Sequence, residues 1–248
     1  MKHAFRVRAS SMGAIMTNDR SRKNMGNRCL DKIEEMLWYN KFGIDDRIWS
    51  KYMEKGTLNE EQGIKLAAKV LGWFDVQENA QKVRRMNDWV VGEPDVLTPT
   101  LLADIKTSWS GSTYRKTASK TKVPNTDYDW QMQCYMWLCD REEAELVYCL
   151  TDIPEHLILK EIRTMTYGAM DRAAVDPKLN DKDMHEIEAK IEAEVRSQSG
   201  FDHIPANIRV KRFIIKRDEA KIQAMIDRIT ECRKVYDEMY EHIKKMNK

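Results

Sequence analysis

The sequence predicts an α/β fold with a partly helical elaboration and a long C-terminal helix, and three observations carry that expectation. At 248 residues with 42% hydrophobic content, the chain is long enough to bury a sizeable core and is not generally disordered. Up to Thr151, short apolar pieces of strand length alternate with segments of helical period. Near the C-terminus, Ile222, Met225, Ile226, Ile229, Cys232, Tyr236, Met239, Tyr240 and Ile243 recur at helical spacing and predict one continuous apolar face.

The elements follow in order. A helical N-terminal region includes Leu30 to Tyr39. Lys55 to Glu61 then opens a helix running through Ile64, Leu66, Ala67, Val70 and Leu71, with Gly56 marking a turn and Asn59 as N-cap. Two apolar pieces, Trp89 to Val91 and Leu101 to Ile105, predict a β-hairpin with Asp95 near a strand end. A helix across Tyr128 to Leu138 and a strand at Glu145 to Leu150 complete a compact core over residues 1–151. Residues 152–208 form an elaboration: a strand at Leu157 to Ile162, a polar helix from Asp181 to Arg196, and a loop with Gly200 and Pro205. Residues 209–248 hold a closing strand and the C-terminal helix.

The chemistry concentrates between Gly92 and Lys106. Alternate residues of a strand share a face, so Asp104 and Lys106 point together toward Asp95. Ile105 turns into the core and leaves its carbonyl at the edge of the same pocket. Oxygen donors of this kind suit Mg²⁺ or Mn²⁺, one or two ions, which keep several waters and take few protein carboxylates. Such an ion lowers the pKa of a bound water and polarises a phosphate, while Lys106 orients that water and stabilises developing charge. A phosphodiester is the natural substrate. In a chain that is 33% charged, an acidic-x-Lys triplet also arises as an ordinary solvated strand face.

Two flanking segments weigh against that plainer reading. Glu60 and Glu61 stand near the expected start of their helix, where carboxylates also serve simply to offset the helix dipole. Downstream, Gln131 and Tyr135 lie one turn apart on one helix face, a polar pair that packing does not explain. Taken together, Gly56-x-x-x-Glu60, Pro94-Asp95, Asp104-Ile105-Lys106 and Gln131-Met132-Gln133 with Met136-Trp137 resemble the ordered motifs of the PD-(D/E)-X-K nuclease superfamily. Within it the chain is similar to lambda exonuclease and the YqaJ-like phage recombination nucleases. Gln131-x-x-x-Tyr135 also resembles the signature of RecB-type nuclease domains. Arg8-Ala9-Ser10-Ser11, followed by Ala14-Ile15 and Arg20-Ser21, resembles the segment with which such exonucleases hold a DNA end. Ile214 to Glu219 resembles their closing strand and helix.

The resemblance implies a restriction-endonuclease-like core, a central mixed β-sheet flanked by helices, within a single nuclease domain spanning residues 1–248. It implies that Asp95, Asp104 and the Ile105 carbonyl bind the metal, with Glu60 beside them. Lys106 would serve the nucleophilic water, Gln131 would orient the lysine or meet the phosphate, and Ser10 would contact backbone near the bound end. The implied activity is metal-dependent hydrolysis of linear double-stranded DNA from its ends, 5′ to 3′, in phage-type recombination. A single-strand annealing protein is the implied partner, and related enzymes form rings around duplex DNA. The sequence departs from the pattern in two places: His3 stands where lambda exonuclease has an arginine linked with the 5′-phosphate, and Asp104 replaces the glutamate of many relatives. A structure-specific or RecB-like endonuclease, or a DNA-binding protein that keeps the fold without catalysis, are the alternatives.

Net charge is only +2, but its distribution is uneven. Residues 1–28 carry Lys2, Arg6, Arg8, Arg20, Arg22, Lys23 and Arg28 against Asp19 alone. From Ile105 to Thr126 there is no acid, while Lys106, Arg115, Lys116, Lys120 and Lys122 stand among Ser, Thr and Gly. This stretch reads either as a solvated linker or as a loop closing on a phosphate backbone. The helix at Asp181 to Arg196 presents Met184, Ile187, Ile191 and Val195 at helical spacing, either packed on its own domain or forming a subunit contact. Cys29, Cys134, Cys139, Cys149 and Cys232 are odd in number and lack Cys-x-x-Cys spacing, which points to a reducing compartment and against an iron-sulfur cluster. With no apolar run near the ~20 residues of a membrane span and no signal-peptide pattern, a soluble cytoplasmic protein is expected.

Overall fold

The computed structural model describes residues 5–45, 50–74, 76, 83–173 and 181–246, without the side chains of 172, 173 and 181–184. Lys2, His3 and the Met184 side chain therefore lie outside the described residues.

The described residues begin with β1 (Val7–Arg8), a 3-10 turn at Ala9–Ser11 and the single-turn α1 (Met12–Ile15). Then come α2 (Asn27–Phe42), α3 (Lys51–Leu71), β2 (Arg85–Met86), β3 (Val90–Gly92), β4 (Val96–Leu97) and β5 (Leu102–Thr107). They are followed by α4 (Gly111–Ala118), α5 (Thr126–Cys139), β6 (Glu143–Cys149), α6 (Glu155–Ala173), α7 (Asp181–Ser197), β7 (Val210–Lys216) and α8 (Glu219–Lys245). The expected mixed sheet is present in the order β4-β5-β6-β7, with β5 and β6 parallel and both outer pairs antiparallel. A smaller sheet, β1-β3-β2, stands beside it.

Alternation along the strands divides the core. Leu146, Tyr148, Phe213 and Ile215 face the large cluster under α5 and α8, where Met132, Met136, Met225, Ile229 and Tyr236 are buried. Ile105, Val147 and Cys149 face the other way, against Ala67 of α3. In register, Asp104 pairs with Leu146 and Lys106 with Tyr148, so both polar residues lie on the α5 side of the sheet. Ile105 sits on the opposite side, as the strand period requires.

The structure revises several expectations. The hairpin partner of β5 is β4, immediately after Asp95, while the Val90–Gly92 strand joins the other sheet and pairs in parallel with β1. Gly56 lies inside α3 rather than at a turn; the helix starts at Ser50, whose side chain accepts the Met53 amide at 3.3 Å. Asn59 is therefore no cap. It is buried, and its Nδ2 donates to Thr151 Oγ1 at 2.8 Å and to the Asp152 carbonyl at 2.5 Å. Leu157 to Ile162 is not a strand but the first turns of α6, where Leu157 and Ile158 donate main-chain bonds to the Pro154 carbonyl. The Ser/Thr/Lys segment contains α4, closed by a capping box between Ser110 and Thr113 and anchored by Tyr114, whose hydroxyl donates to the Ile208 carbonyl at 2.8 Å.

In the elaboration, α7 packs on α6, and Ile187, Ile191 and Val195 are half-buried. Arg196 joins the two helices through a bidentate contact with Glu155 at 2.9 and 3.2 Å. This favours packing within the chain as the use of the apolar stripe. The C-terminal helix forms as expected: Asp218 caps it by accepting from Ala220 and Lys221, and Ile222, Met225, Ile229, Cys232 and Tyr236 are buried. Among the described residues no helix is long and apolar enough to cross a membrane.

Candidate active site

Three elements converge where β4 begins and β5 runs on with only β6 beside it. β4 pairs with β5 only at Leu102 and Ala103, so the next outward-facing main-chain groups on that edge, those of Ile105, are open to a side chain. Asp95 Oδ2 takes this position and accepts the Ile105 N–H at 2.7 Å. On a strand the N–H and C=O of one residue project to the same side, so the Ile105 carbonyl faces the edge where Asp95 lies.

On the α5 face of β5, Asp104 is 1% exposed and Lys106 Nζ lies 2.6 Å from its Oδ2. That oxygen is in ion contact with the lysine yet accepts no aligned hydrogen bond, while Oδ1 accepts from Gln131 Nε2 at 3.2 Å. Gln131 Nε2 also donates to the Tyr135 hydroxyl at 2.9 Å, which in turn donates to the Glu93 carbonyl at 3.2 Å. The two α5 residues picked out in the sequence thus hold the carboxylate and the segment leading to Asp95. Gly92 makes this possible, because a Cβ there would stand 2.7 Å from the Tyr135 ring.

Helix α3 supplies the third side. Along one face, Lys55, Asn59 and Gly63 meet the ends of β5 and β6 at successive turns. Lys55, 1% exposed, donates from Nζ to the carbonyls of Ser108 at 2.7 Å, Trp109 at 3.2 Å and Thr151 at 2.8 Å. A Cβ at Gly63 would lie 2.7 Å from Ile105 Cγ2, so glycine sets the close approach of helix to strand. This clamp fixes Glu60, whose charge acts on Asp95.

The electrostatics follow from the burial. Desolvation, then the charges of Asp104 and Glu60, push the Asp95 carboxyl up to about 8, against the opposing effects of Lys106 and the Ile105 amide. For Lys106 the largest effect is also desolvation, which lowers it, but Asp104 and Asp95, with Tyr128 adding less, outweigh it and hold the ammonium above its ordinary value. Burial followed by Asp104 keeps the Tyr135 hydroxyl protonated. The arrangement is a buried excess of carboxylate charge with one ammonium among it, which a divalent cation relieves.

The donor set fits such an ion. Asp104 Oδ2 is a buried oxygen without an aligned hydrogen bond, and Asp95 brings a second carboxylate to the same strand edge. Among the described residues no group of three or more His, Cys, Asp or Glu side chains is placed to hold a metal ion, so Glu60 does not join Asp95 and Asp104 in such a group. Two carboxylates and a main-chain oxygen correspond to the sparse protein ligation of Mg²⁺ rather than to a structural zinc site.

The remaining sequence-picked residues divide. Arg8 and Ser10 line a cavity of about 270 Å³ together with Gly92, Glu93 and Tyr135, so the N-terminal segment does reach the site. Arg84 lines the same cavity and was missed by the sequence reading, since no local pattern marks it. Tyr128, whose ring centroid lies 4.8 Å from Lys106 Nζ, was missed too, although it precedes Gln131 by one helical turn. Arg20, Arg115, Lys116, Lys120 and Lys122 are exposed. Among the described residues no hydrogen bond or ion pair ties them to the carboxylates.

No protein-family model matches the sequence, and no curated protein matches it. Among solved structures, the chain is similar to a phage-related exonuclease from Haemophilus somnus 129PT, with 25% identity, a TM-score of 0.68 and 97% of each chain covered. It is also similar in fold to an alkaline exonuclease from Laribacter hongkongensis, with 17% identity, a TM-score of 0.61, and 98% of this chain and 93% of that one covered. The same enzyme in complex with dAMP aligns at a TM-score of 0.59. Over nearly its whole length the chain therefore has the fold of phage-related and alkaline exonucleases, the relationship that the order of Glu60, Asp95, Asp104-x-Lys106 and Gln131 pointed to.

Proposed function

We propose that this protein is a divalent-metal-dependent deoxyribonuclease that removes nucleotides from the ends of linear double-stranded DNA, 5′ to 3′. The observation that carries the reading is the convergence of Asp95, at the edge of β5, with Asp104 and Lys106 on its α5 face, with Gln131 bound to Asp104. The fold shared with a phage-related exonuclease supports it, as does the neighbouring enzyme whose structure contains dAMP.

When bound, Mg²⁺ or Mn²⁺ supplies an activated water and neutralises charge on the phosphate. Asp95, Asp104 and the Ile105 carbonyl hold the ion, with Glu60 beside them. Gln131 fixes Asp104 through Oδ1, while Oδ2 lies beside the Lys106 ammonium. Lys106 orients the attacking water and meets the phosphate oxygen that gains charge. Arg8 and Ser10 receive the backbone next to the scissile bond, and Arg20, Arg115, Lys116, Lys120 and Lys122 bind phosphates farther along the duplex without reading sequence. In this reading the enzyme works in the cytoplasm, in phage-type recombination, with a single-strand annealing protein as partner and in a ring of identical subunits.

The test uses linear duplex labelled separately at each end, with and without 5′-phosphate, beside a closed circle. Loss of label from the 5′ end first, with the circle spared, supports the exonuclease. Cutting of the circle would assign the same chemistry to an endonuclease instead.

A further inference from the structure

Helix α5 meets the β5 segment through one face. Tyr128, Gln131 and Tyr135, at i, i+3 and i+7, reach Lys106, Asp104 and the Glu93 carbonyl respectively. The roles of the last two contacts are those of ordinary hydrogen bonds. Tyr128 differs, because it presents a ring to a cation. Lys106 Nζ stands 4.8 Å from that ring centroid, within the range in which an aromatic face attracts an ammonium, and its side chain is only 23% exposed.

The ring is itself fixed. Tyr148, the register partner of Lys106 on β6, meets Tyr128 edge to face at 6.2 Å and 66°. Phe213 of β7 meets Tyr148 at 5.9 Å and 83°. An aromatic row running across β6 and β7 thus backs Tyr128, and limits where the neighbouring ammonium can go.

Asp104 Oδ2 cannot serve a divalent cation and the Lys106 ammonium equally. Once that oxygen is committed elsewhere, an ammonium this buried needs another partner or must leave the pocket for solvent. On the reading of the site given above, we propose that Tyr128 is a positioning residue: its ring face holds the Lys106 ammonium when Asp104 is engaged with metal, and so sets the working position of the lysine. The aromatic face is what matters, and the hydroxyl is not.

The experiment compares the full chain as wild type, Tyr128→Phe and Tyr128→Leu, with Tyr128→Met as a second ring-free variant where leucine disturbs the melting temperature. Brief treatment with acetic anhydride, with and without Mg²⁺, followed by peptide mass spectrometry, measures how fast Lys106 is acylated. With Mg²⁺ present, Lys106 should label several-fold faster in Tyr128→Leu than in wild type or Tyr128→Phe, and without metal the three should be close. On linear duplex DNA, Tyr128→Leu should lose about tenfold in kcat with KM within about twofold, and Tyr128→Phe should keep most of the rate. Equal labelling and equal kcat in the leucine and wild-type proteins would overturn the proposal. So would a phenylalanine variant as impaired as leucine, which would place the role on the hydroxyl. A labelling contrast without hydrolysis in any variant, wild type included, would leave the lysine's seat standing and overturn the nuclease reading.

Discussion

Asp95 Oδ2 accepts the main-chain N–H of Ile105 at 2.7 Å, ten residues farther along the chain. This bond fills the strand edge that β4 vacates after pairing with Ala103, and brings a carboxylate to the pocket that Asp104 enters from the sheet face. Position here comes from the backbone, while the cost comes from charge: Asp95 is buried near Asp104 and Glu60, and its carboxyl is raised from 3.8 to about 8.

A carboxyl raised on folding binds its proton more tightly in the folded state. Its stability contribution is therefore whole below the unfolded value of 3.8 and is lost as pH climbs toward about 8. Asp95→Asn should accordingly be more stable than wild type in metal-free buffer, by a margin that grows between those pH values and then levels off. The gain is on the order of a few kcal/mol, roughly 2–4 °C of Tm for each. Added Mg²⁺ should raise the wild-type Tm and leave Asp95→Asn unmoved. A metal-free melting series in which the variant tracks wild type at every pH would refute this.

Removing the amide that joins α5 to β5 should damage rate and fold together. Gln131→Ala leaves Asp104 Oδ1 and the Tyr135 hydroxyl without their shared donor. The expected losses are about 10–100-fold in rate and about 1–3 kcal/mol in stability. Steady-state hydrolysis and chemical denaturation measure the two; a variant with wild-type turnover would show that Gln131 does not hold the carboxylate in its working position.

At Gly63, alanine should be worse than glycine despite its higher helix propensity. The added Cβ meets Ile105 Cγ2 at 2.7 Å across the α3–β5 interface. Overpacking of this kind costs about 1–3 kcal/mol, which exceeds the ~1 kcal/mol of helix propensity gained. Urea unfolding should show the net loss, and a weaker apparent affinity for Mg²⁺ should accompany it because Glu60 rides on the same helix. An unchanged midpoint would mean that α3 can shift without cost.

The basic segment after β5 should act on affinity alone. Replacing Lys116, Lys120 and Lys122 by glutamine should weaken DNA binding and reduce the slope of log affinity against log salt by up to about 3, with the rate at saturating DNA unchanged. Binding titrations at several salt concentrations decide this; an unaltered slope would leave the segment a solvated linker joined to α4.

The sequence made the centre of the site legible because strand and helix periods act locally. Asp104 and Lys106 share a face by the two-residue repeat, and Gln131 and Tyr135 by the four-residue one. What it hid depends on distant contacts. Lys55 and Asn59 look like surface residues of a helix start, yet both are buried against main-chain carbonyls just past the ends of β5 and β6, roughly fifty to a hundred positions away. Their polarity broke the apolar stripe that would have revealed α3 as one long helix with Gly56 inside it. Leu157 to Ile162 is a short apolar run whose period alone does not separate strand from helix. Arg84 becomes a site residue only when the adjacent β2 pairs with β3, which leaves no local pattern, whereas Tyr128 shares the helix face of Gln131 and gains its role only when α5 docks on β5.

The most direct measurement is hydrolysis of linear duplex DNA by wild type, Asp95→Asn and Asp104→Ala, each with Mg²⁺, with Mn²⁺ and with chelator. Loss of DNA is expected only in wild type and only with metal, while both variants remain folded and still bind duplex. Metal-independent hydrolysis, or hydrolysis that survives Asp104→Ala, would place the chemistry elsewhere and contradict the proposed function.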